Sequence, residues 1–179
     1  MNDKYLNELS KKIHESNTTA GWWDGEQCLY EKIQLVSTEI AEATEGARKS
    51  LMDDHLPQYP MEQVELADAL IRALDLGGRL ELTYEDLNLK YPLIGKENSV
   101  GANHLGVNCE VVTFAKAIYL EKTGDVLNNF YSAMVGAILR CAKERGYNLA
   151  KATAEKLEYN LKRADHKPAN RAKKNGKSF

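Results

Sequence analysis

The chain has 179 residues, enough for one domain or two small ones and too few for two large domains. Hydrophobic residues make up 43% and charged residues 28% of it, with 12 Gly and 4 Pro, a composition typical of globular proteins and unlike that of fibrous or disordered ones. The net charge of −2 is unevenly distributed, because seven Lys or Arg and one Asp give residues 162–179 a charge of +6 and leave −8 for residues 1–161.

No apolar stretch approaches the ~20 residues that a membrane-spanning helix needs, and the polar N-terminus lacks the apolar run of a secretory signal. We therefore expect no membrane partner. The cysteines are odd in number and widely spaced, which indicates neither a disulfide framework nor a CxxC metal site. A reducing, cytoplasmic location is the expectation for a chain with Cys28, Cys109 and Cys141.

Apolar residues recur at steps of three and four along most of the chain, and no stretch keeps the strict alternation of a half-buried strand. This periodicity predicts an all-α fold, a helical bundle with no sheet. The expected helices cover residues of about 3–15, 26–50, 61–77, 103–122, 125–145 and 148–164.

Helix boundaries are predicted from capping residues and glycines. Asp24, followed three residues later by Gln27, is expected to cap the second helix. Gly77–Gly78 is expected to end the third helix. A glycine followed by a capping side chain separates the last three helices, at Gly124–Asp125 and at Gly146–Asn148.

The residues from about 79 to 102 have a poor helical pattern, with Pro92, Gly95 and Gly101 interrupting it. We expect a long connection there, and loops of this length in compact domains tend to be functional or mobile. It separates two helical hairpins.

The first hairpin carries two acidic pairs, Glu39 with Glu42 and Glu65 with Asp68. Each pair has i, i+3 spacing, which places both carboxylates on one side of a helix. Asp68 and Asp75 also fall on the apolar side of the third helix. A carboxylate that faces a core costs several kcal/mol unless it is paired or coordinates a cation.

Four carboxylates in one hairpin would raise one another's pKa and push the helices apart, and a divalent cation would remove both problems. Because all the candidate ligands are oxygens, Mg²⁺ or Mn²⁺ is favoured over zinc. Neither pair ends in the His of a di-iron motif. The alternative is a set of solvated or lysine-paired acids on helix surfaces, and the residues alone leave it open.

Two other groups of residues are candidates for substrate contacts. Lys156, Asn160 and Arg163 share one face of the last helix and offer a point charge, an amide and a planar fork to phosphate oxygens. Trp22 and Trp23 could stack on a base. The structural alternative for the first group is a solvated polar helix face. For the two tryptophans it is packing in the hydrophobic core. The four histidines lack ligand spacing and are interpreted as structural or exposed: His14, His55, His104 and His166.

The segments TEIAEATEGARK (38–49) and VELADALIRALDLGG (64–78) resemble the MazG-like all-α nucleoside triphosphate pyrophosphatases, whose signature is an ExxE helix followed by an ExxD helix. IHESNTTAGWWDGE (13–26) is similar to the family's lead-in, and EKLEYNLKRADH (155–166) to its closing helix. Related phage and bacterial sequences pass almost directly from the ExxD helix, here 64–78, into the closing helix. In this chain some sixty residues intervene between the two.

The resemblance implies site residues by position. It makes Mg²⁺ ligands of Glu39, Glu42, Glu65 and Asp68, and phosphate contacts of Lys156, Asn160 and Arg163. One glutamate would act as general base, and we place Glu42 ahead of Glu39 because it lies further round the helix from the apolar stripe. The family builds its sites between subunits, which implies a homodimer or homotetramer.

The resulting expectation is Mg²⁺-dependent hydrolysis of a ribo- or deoxynucleoside triphosphate to the monophosphate and pyrophosphate. The domain would cover 1–166, with an insertion at about 79–145 and a basic tail at 167–179. Two alternatives stay open: a phosphoribosyl-ATP pyrophosphohydrolase, and a non-catalytic helical module that binds nucleotide or, through the basic tail, nucleic acid. Nucleic acid is not an expected partner of the enzyme, and base and sugar preference are left open.

Overall fold

The computed structural model describes residues 1–87 and 99–163. These residues form six α-helices and no sheet, which confirms the predicted all-α fold. The helices are α1 (Asp3–Thr19), α2 (Leu29–Lys49), α3 (Met61–Arg79), α4 (Val100–Tyr119), α5 (Gly124–Glu144) and α6 (Leu149–Lys162).

Helix α3 lies at the centre of the fold and contacts α1, α2, α5 and α6. Buried residues lie on nearly every side of this helix, and they include the polar side chains of Glu62, Gln63 and Glu65 as well as apolar and small ones. The contact between α2 and α3 is the most extensive of those between helices. These two helices form the hairpin that carries both acidic pairs.

Helices α4 and α5 form a second hairpin, which packs on α2 and α3. Both α4 and α5 lie wholly in the expected insertion, yet they contribute side chains to the same core as the first hairpin. The largest of these are fully or almost fully buried: Phe114, Tyr131, Met134 and Ile138.

Capping was predicted correctly at α6 and wrongly at α2 and α5. The Asn148 side chain accepts a hydrogen bond from the Lys151 N–H at 3.1 Å and caps α6 as expected. Helix α2 begins only after Cys28, and the Gln27 amide instead donates to the backbone carbonyl of Asp24. Helix α5 is preceded by Thr123, so Asp125 lies within its first turn.

The glycines that were expected to end the third helix lie inside it, since α3 continues to Arg79. A Cβ atom at Gly77 would lie 2.2 Å from the Tyr131 hydroxyl of α5. A Cβ at Gly78 would lie 2.5 Å from the His14 Cβ and 2.9 Å from the Ser10 carbonyl of α1. The glycines therefore serve close helix packing rather than termination.

In the part of the chain that the structure describes, no helix combines the length and the apolar character needed to cross a membrane. Residues 88–98 of the expected long connection lie outside the described residues. His166 and the predicted basic tail at 167–179 lie outside them too.

Candidate metal centre

The antiparallel packing of α2 on α3 brings together three of the four acidic residues of the predicted site. Carboxylate oxygens of Glu39, Glu42 and Glu65 all lie within 4.8 Å of one another. Glu39 and Glu65 are buried at the contact between the helices, and Glu42 is exposed. The group therefore has two inward carboxylates and one that solvent reaches.

Glu65 lies in the most unfavourable electrostatic environment of the group. Its side chain is buried, with 7% of the residue exposed. Burial first, and then the charges of Asp68, Glu39 and Glu42, raise the pKa of Glu65 to about 8, against the opposing effect of Lys156. The surplus of carboxylates in a confined space therefore favours the protonated form of Glu65.

Asp68, the fourth predicted ligand, is paired with Lys156, one of the predicted phosphate contacts. Its Oδ2 accepts from the Lys156 Nζ at 2.9 Å. Burial raises the pKa of Asp68, and the lysine opposes this rise. Lys156 is only 3% exposed, and although burial disfavours its charge, Asp68 and then Glu65 raise its pKa. Lys156 thus lies beside the acidic group as a buried counter-charge.

A second cation, Arg72, was not among the predicted site residues. Its Nε donates to Glu39 Oε1 at 2.5 Å. The side chain of Arg72 is about one third exposed, and that of Glu39 is buried. Arg72 follows Asp68 by four residues, on the same face of α3, and this spacing was the signal in the sequence that could have placed it at the site.

The other predicted phosphate contacts lie around the end of α6. The Arg163 guanidinium lies 5.7 Å from the centroid of the Tyr159 ring, and the Lys156 Nζ lies 6.0 Å from the same ring. The Asn160 Oδ1 is buried and has no hydrogen-bond partner among residues 1–87 and 99–163. Lys156 and Arg163 therefore flank one aromatic side chain, at the side of the centre where Lys156 meets Asp68.

Asp75 is not close to the three-carboxylate group, because it binds the segment that precedes α2. Its carboxylate accepts from His14 Nδ1 at 2.8 Å, from Asn17 Nδ2 at 2.7 Å and from Trp23 Nε1 at 3.0 Å. These contacts meet the need of a carboxylate on the apolar side of α3 for partners. Asp75 therefore connects α1 and the loop after it to the end of α3.

Trp22 and Trp23, the predicted base contacts, are both half-buried. The Trp23 ring packs against the core, with Lys32 Nζ 5.0 Å and the Arg79 guanidinium 5.6 Å from its centroid. Lys32 also donates to the Trp22 carbonyl oxygen at 2.9 Å. The pair therefore lies beside α2 two helical turns before Glu39.

A second buried carboxylate, Glu62, was not singled out in the sequence. Only 1% of the residue is exposed. Arg145 Nη2 and the Tyr147 hydroxyl donate to it at 2.8 and 2.6 Å, and His104 Nε2 lies 3.3 Å away, outside hydrogen-bond geometry. Burial alone would raise the pKa of Glu62, but His104, Arg145 and Tyr147 outweigh it and lower the pKa to about 2. These contacts join α3 to α4 and to the end of α5.

Comparisons of this chain with models of protein families, with curated proteins and with solved structures find no match.

Proposed function

We propose that this protein is a Mg²⁺-dependent nucleoside triphosphate pyrophosphohydrolase, which releases a monophosphate and pyrophosphate. The observation that carries the proposal is the meeting of the Glu39, Glu42 and Glu65 carboxylates at the α2–α3 contact. The motif resemblance named the same three residues, and the structure brings them together from two different helices.

The donor set fits a hard divalent cation, since every candidate ligand is a carboxylate oxygen and Mg²⁺ or Mn²⁺ prefers oxygen. The raised pKa of Glu65 supports the same conclusion, because its negative charge is poorly compensated. A bound cation would supply positive charge to phosphate oxygens and to the transition state. Asp68, whose carboxylate also contacts Lys156, would be the fourth ligand of the cation.

The neighbouring residues would have distinct roles in the reaction. Glu42, the exposed member of the group, is placed to accept the proton of a water that attacks the α-phosphorus, with pyrophosphate leaving. Arg72 and Lys156 hold the carboxylates of Glu39 and Asp68 in position. Since Lys156 is buried against Asp68, we assign it a positioning role in addition to the phosphate contact implied by the resemblance.

The remaining contacts of the proposal concern the substrate and the assembly. Asn160 on α6 and Arg163 directly after it would contact phosphate oxygens, and Trp22 or Trp23 would contact the base. A homodimer or homotetramer, as the resemblance implies, would complete the site.

The proposal is tested by turnover of ribo- and deoxynucleoside triphosphates, dGTP included, and of phosphoribosyl-ATP with Mg²⁺ in ¹⁸O-labelled water. We expect pyrophosphate as a product and the label in the monophosphate. Glu42→Gln should still bind nucleotide but lose about 10²- to 10⁴-fold in turnover. Glu45→Gln, on the same helix but paired with Lys49 outside the carboxylate group, is the matched control and should retain turnover.

Label in pyrophosphate would place the attack at the β-phosphorus, and release of single phosphates would indicate a different phosphatase. Either result contradicts the proposed reaction. A protein that turns over none of these substrates, yet binds nucleic acid with a steep dependence on salt, would instead be the non-catalytic module.

A further inference from the structure

We infer that His55, on the loop between α2 and α3, contacts the leaving pyrophosphate half of the triphosphate, together with the face of Tyr159 and Arg163. This inference rests on the proposed function and adds a substrate contact that neither the acidic motifs nor the spacing along α6 indicated.

The first observation is the grouping of cationic and aromatic side chains around Tyr159. The His55 and Tyr159 ring centroids are 4.8 Å apart, with the ring planes tilted by 43°. The Arg163 guanidinium and the Lys156 ammonium lie 5.7 and 6.0 Å from the Tyr159 centroid. One aromatic ring thus gathers two permanent cations and an imidazole, a combination suited to a polyanion.

The second observation is that the loop holds His55 in a defined place. Asp53, which is 5% exposed, accepts from the backbone N–H groups of His55 at 3.0 Å and of Leu56 at 2.7 Å. Farther along the loop, the Tyr59 hydroxyl and the Gln58 amide both donate to the Glu155 carboxylate on α6. The loop is therefore fixed to the same helix that carries Tyr159, which reduces the entropy lost when a ligand binds.

The third observation is the position of this group relative to the acidic centre. Tyr159 adjoins Lys156, whose Nζ lies 2.9 Å from Asp68. Lys156 is buried, whereas His55 is exposed. A triphosphate whose α-phosphate lies at the carboxylates and whose chain extends along α6 would therefore reach His55 beyond Lys156. The phosphates that lie there are those of the leaving group.

A base stacked between His55 and Tyr159 is the competing use of the two rings. Stacking needs a free aromatic face, whereas His55 and the cations of Lys156 and Arg163 already surround the Tyr159 ring. The Lys156 charge is paired with Asp68, so it is the Arg163 guanidinium that adds positive charge at this position and favours the phosphates over the base. The two uses predict different results for His55→Ala: loss of a base contact would weaken nucleoside monophosphate binding, and loss of a pyrophosphate contact would leave it unchanged.

The test measures the affinity of His55→Ala, in the presence of Mg²⁺, for three probes: an α,β-methylene nucleoside triphosphate, inorganic pyrophosphate and the matching nucleoside monophosphate. We expect the first two to bind on the order of tenfold more weakly than to wild type, and the monophosphate to bind equally well. His55→Lys, which keeps a hydrogen-bond donor at this position, should recover most of the loss. Asp54→Ala, at the exposed neighbouring position, is the control and should bind all three probes as wild type does.

Unchanged binding of all three probes to a folded His55→Ala would overturn the inference, as would weakening of the monophosphate alone. Both results leave the proposed reaction intact, because turnover by wild type is measured separately. Wild-type protein that neither turns over a triphosphate nor binds the methylene analogue would overturn the proposed function, and the inference with it.

Discussion

Glu65 shows how a single buried residue can place a site under electrostatic strain. Its carboxylate lies between two helices, near three other acids whose charges raise its pKa, and Lys156 opposes this rise without cancelling it. A structural role alone would be better served by an apolar residue of similar size, since buried ionisable groups rarely add stability. The placement makes sense if a cation is present in the working protein.

The pH dependence of stability should reveal this strain in protein stripped of divalent cations. The pKa of Glu65 is about 8 in the folded state against a usual 4.5, so between these pH values the folded state keeps a proton that the unfolded chain has lost. The free energy of unfolding should therefore fall as the pH rises through this range, and level off above it. Urea denaturation with EDTA measures it.

Glu65→Gln should remove most of this fall and be more stable than wild type at the upper end of the range. Glu45→Gln, which changes a partly exposed acid on α2 outside the carboxylate group, should keep the fall. If Glu65→Gln follows the wild-type pH dependence, the strain has been assigned to the wrong carboxylate.

Metal binding should stabilise the fold, because a cation binds the assembled carboxylates and not the unfolded chain. We expect Mg²⁺ or Mn²⁺ to raise the melting temperature, with a gain of about 2.7 kcal/mol at a hundredfold excess over the dissociation constant. The gain should disappear in Glu65→Gln and in Asp68→Asn. A melting temperature that does not change at any metal concentration would contradict the site.

At the scale of helices, the contacts of Glu62 connect α3 to the second hairpin. Arg145→Ala would leave a buried carboxylate without its main partner. We expect a loss of roughly 2–3 kcal/mol, below the range for a fully buried pair because the Arg145 side chain is 36% exposed. Arg48→Ala breaks an exposed pair with Glu45, which solvent screens, and should cost far less. Equal losses in the two variants would contradict the role of Glu62.

The contact of α1 with α3 depends on the absence of a side chain at Gly78. Gly78→Ala should destabilise the protein by about 1–3 kcal/mol, because the new Cβ would meet the His14 side chain and the Ser10 carbonyl, despite the higher helix propensity of alanine. Gly101→Ala on α4 is the matched control, since a Cβ there meets no atom within 4 Å. It should leave stability unchanged or raise it by up to about 1 kcal/mol, as measured by thermal denaturation.

At the scale of the molecule, both hairpins share one core. Phe114 of α4 is fully buried and contacts Tyr131 of α5 at a centroid distance of 6.1 Å. Phe114→Ala should cost about 3–5 kcal/mol. Because the core is continuous, tryptophan fluorescence, which reports on Trp22 and Trp23 near α1 and α3, should follow the same shifted unfolding curve as circular dichroism. Separate curves would show that the second hairpin unfolds on its own.

The helices and their acidic pairs could be predicted from the sequence because they depend on residues a few positions apart. Apolar periodicity decides which stretches form helices, and i, i+3 spacing decides that two carboxylates share a side. The Asn148 cap is local in the same sense, since its partner lies three residues away. The meeting of Glu39, Glu42 and Glu65 also follows once two adjacent helices form an antiparallel hairpin.

The tertiary structure alone decided which partner each buried charge acquired. Asp68 meets Lys156, Asp75 meets the segment before α2, and Glu62 meets Arg145, in each case dozens of positions away along the chain. The two glycines of α3 were misinterpreted for the same reason, because nothing near Gly77 or Gly78 in sequence shows that Tyr131 and His14 pack there. Such pairings depend on the rotation and approach of whole helices, which the packing of the entire core determines and no local pattern encodes.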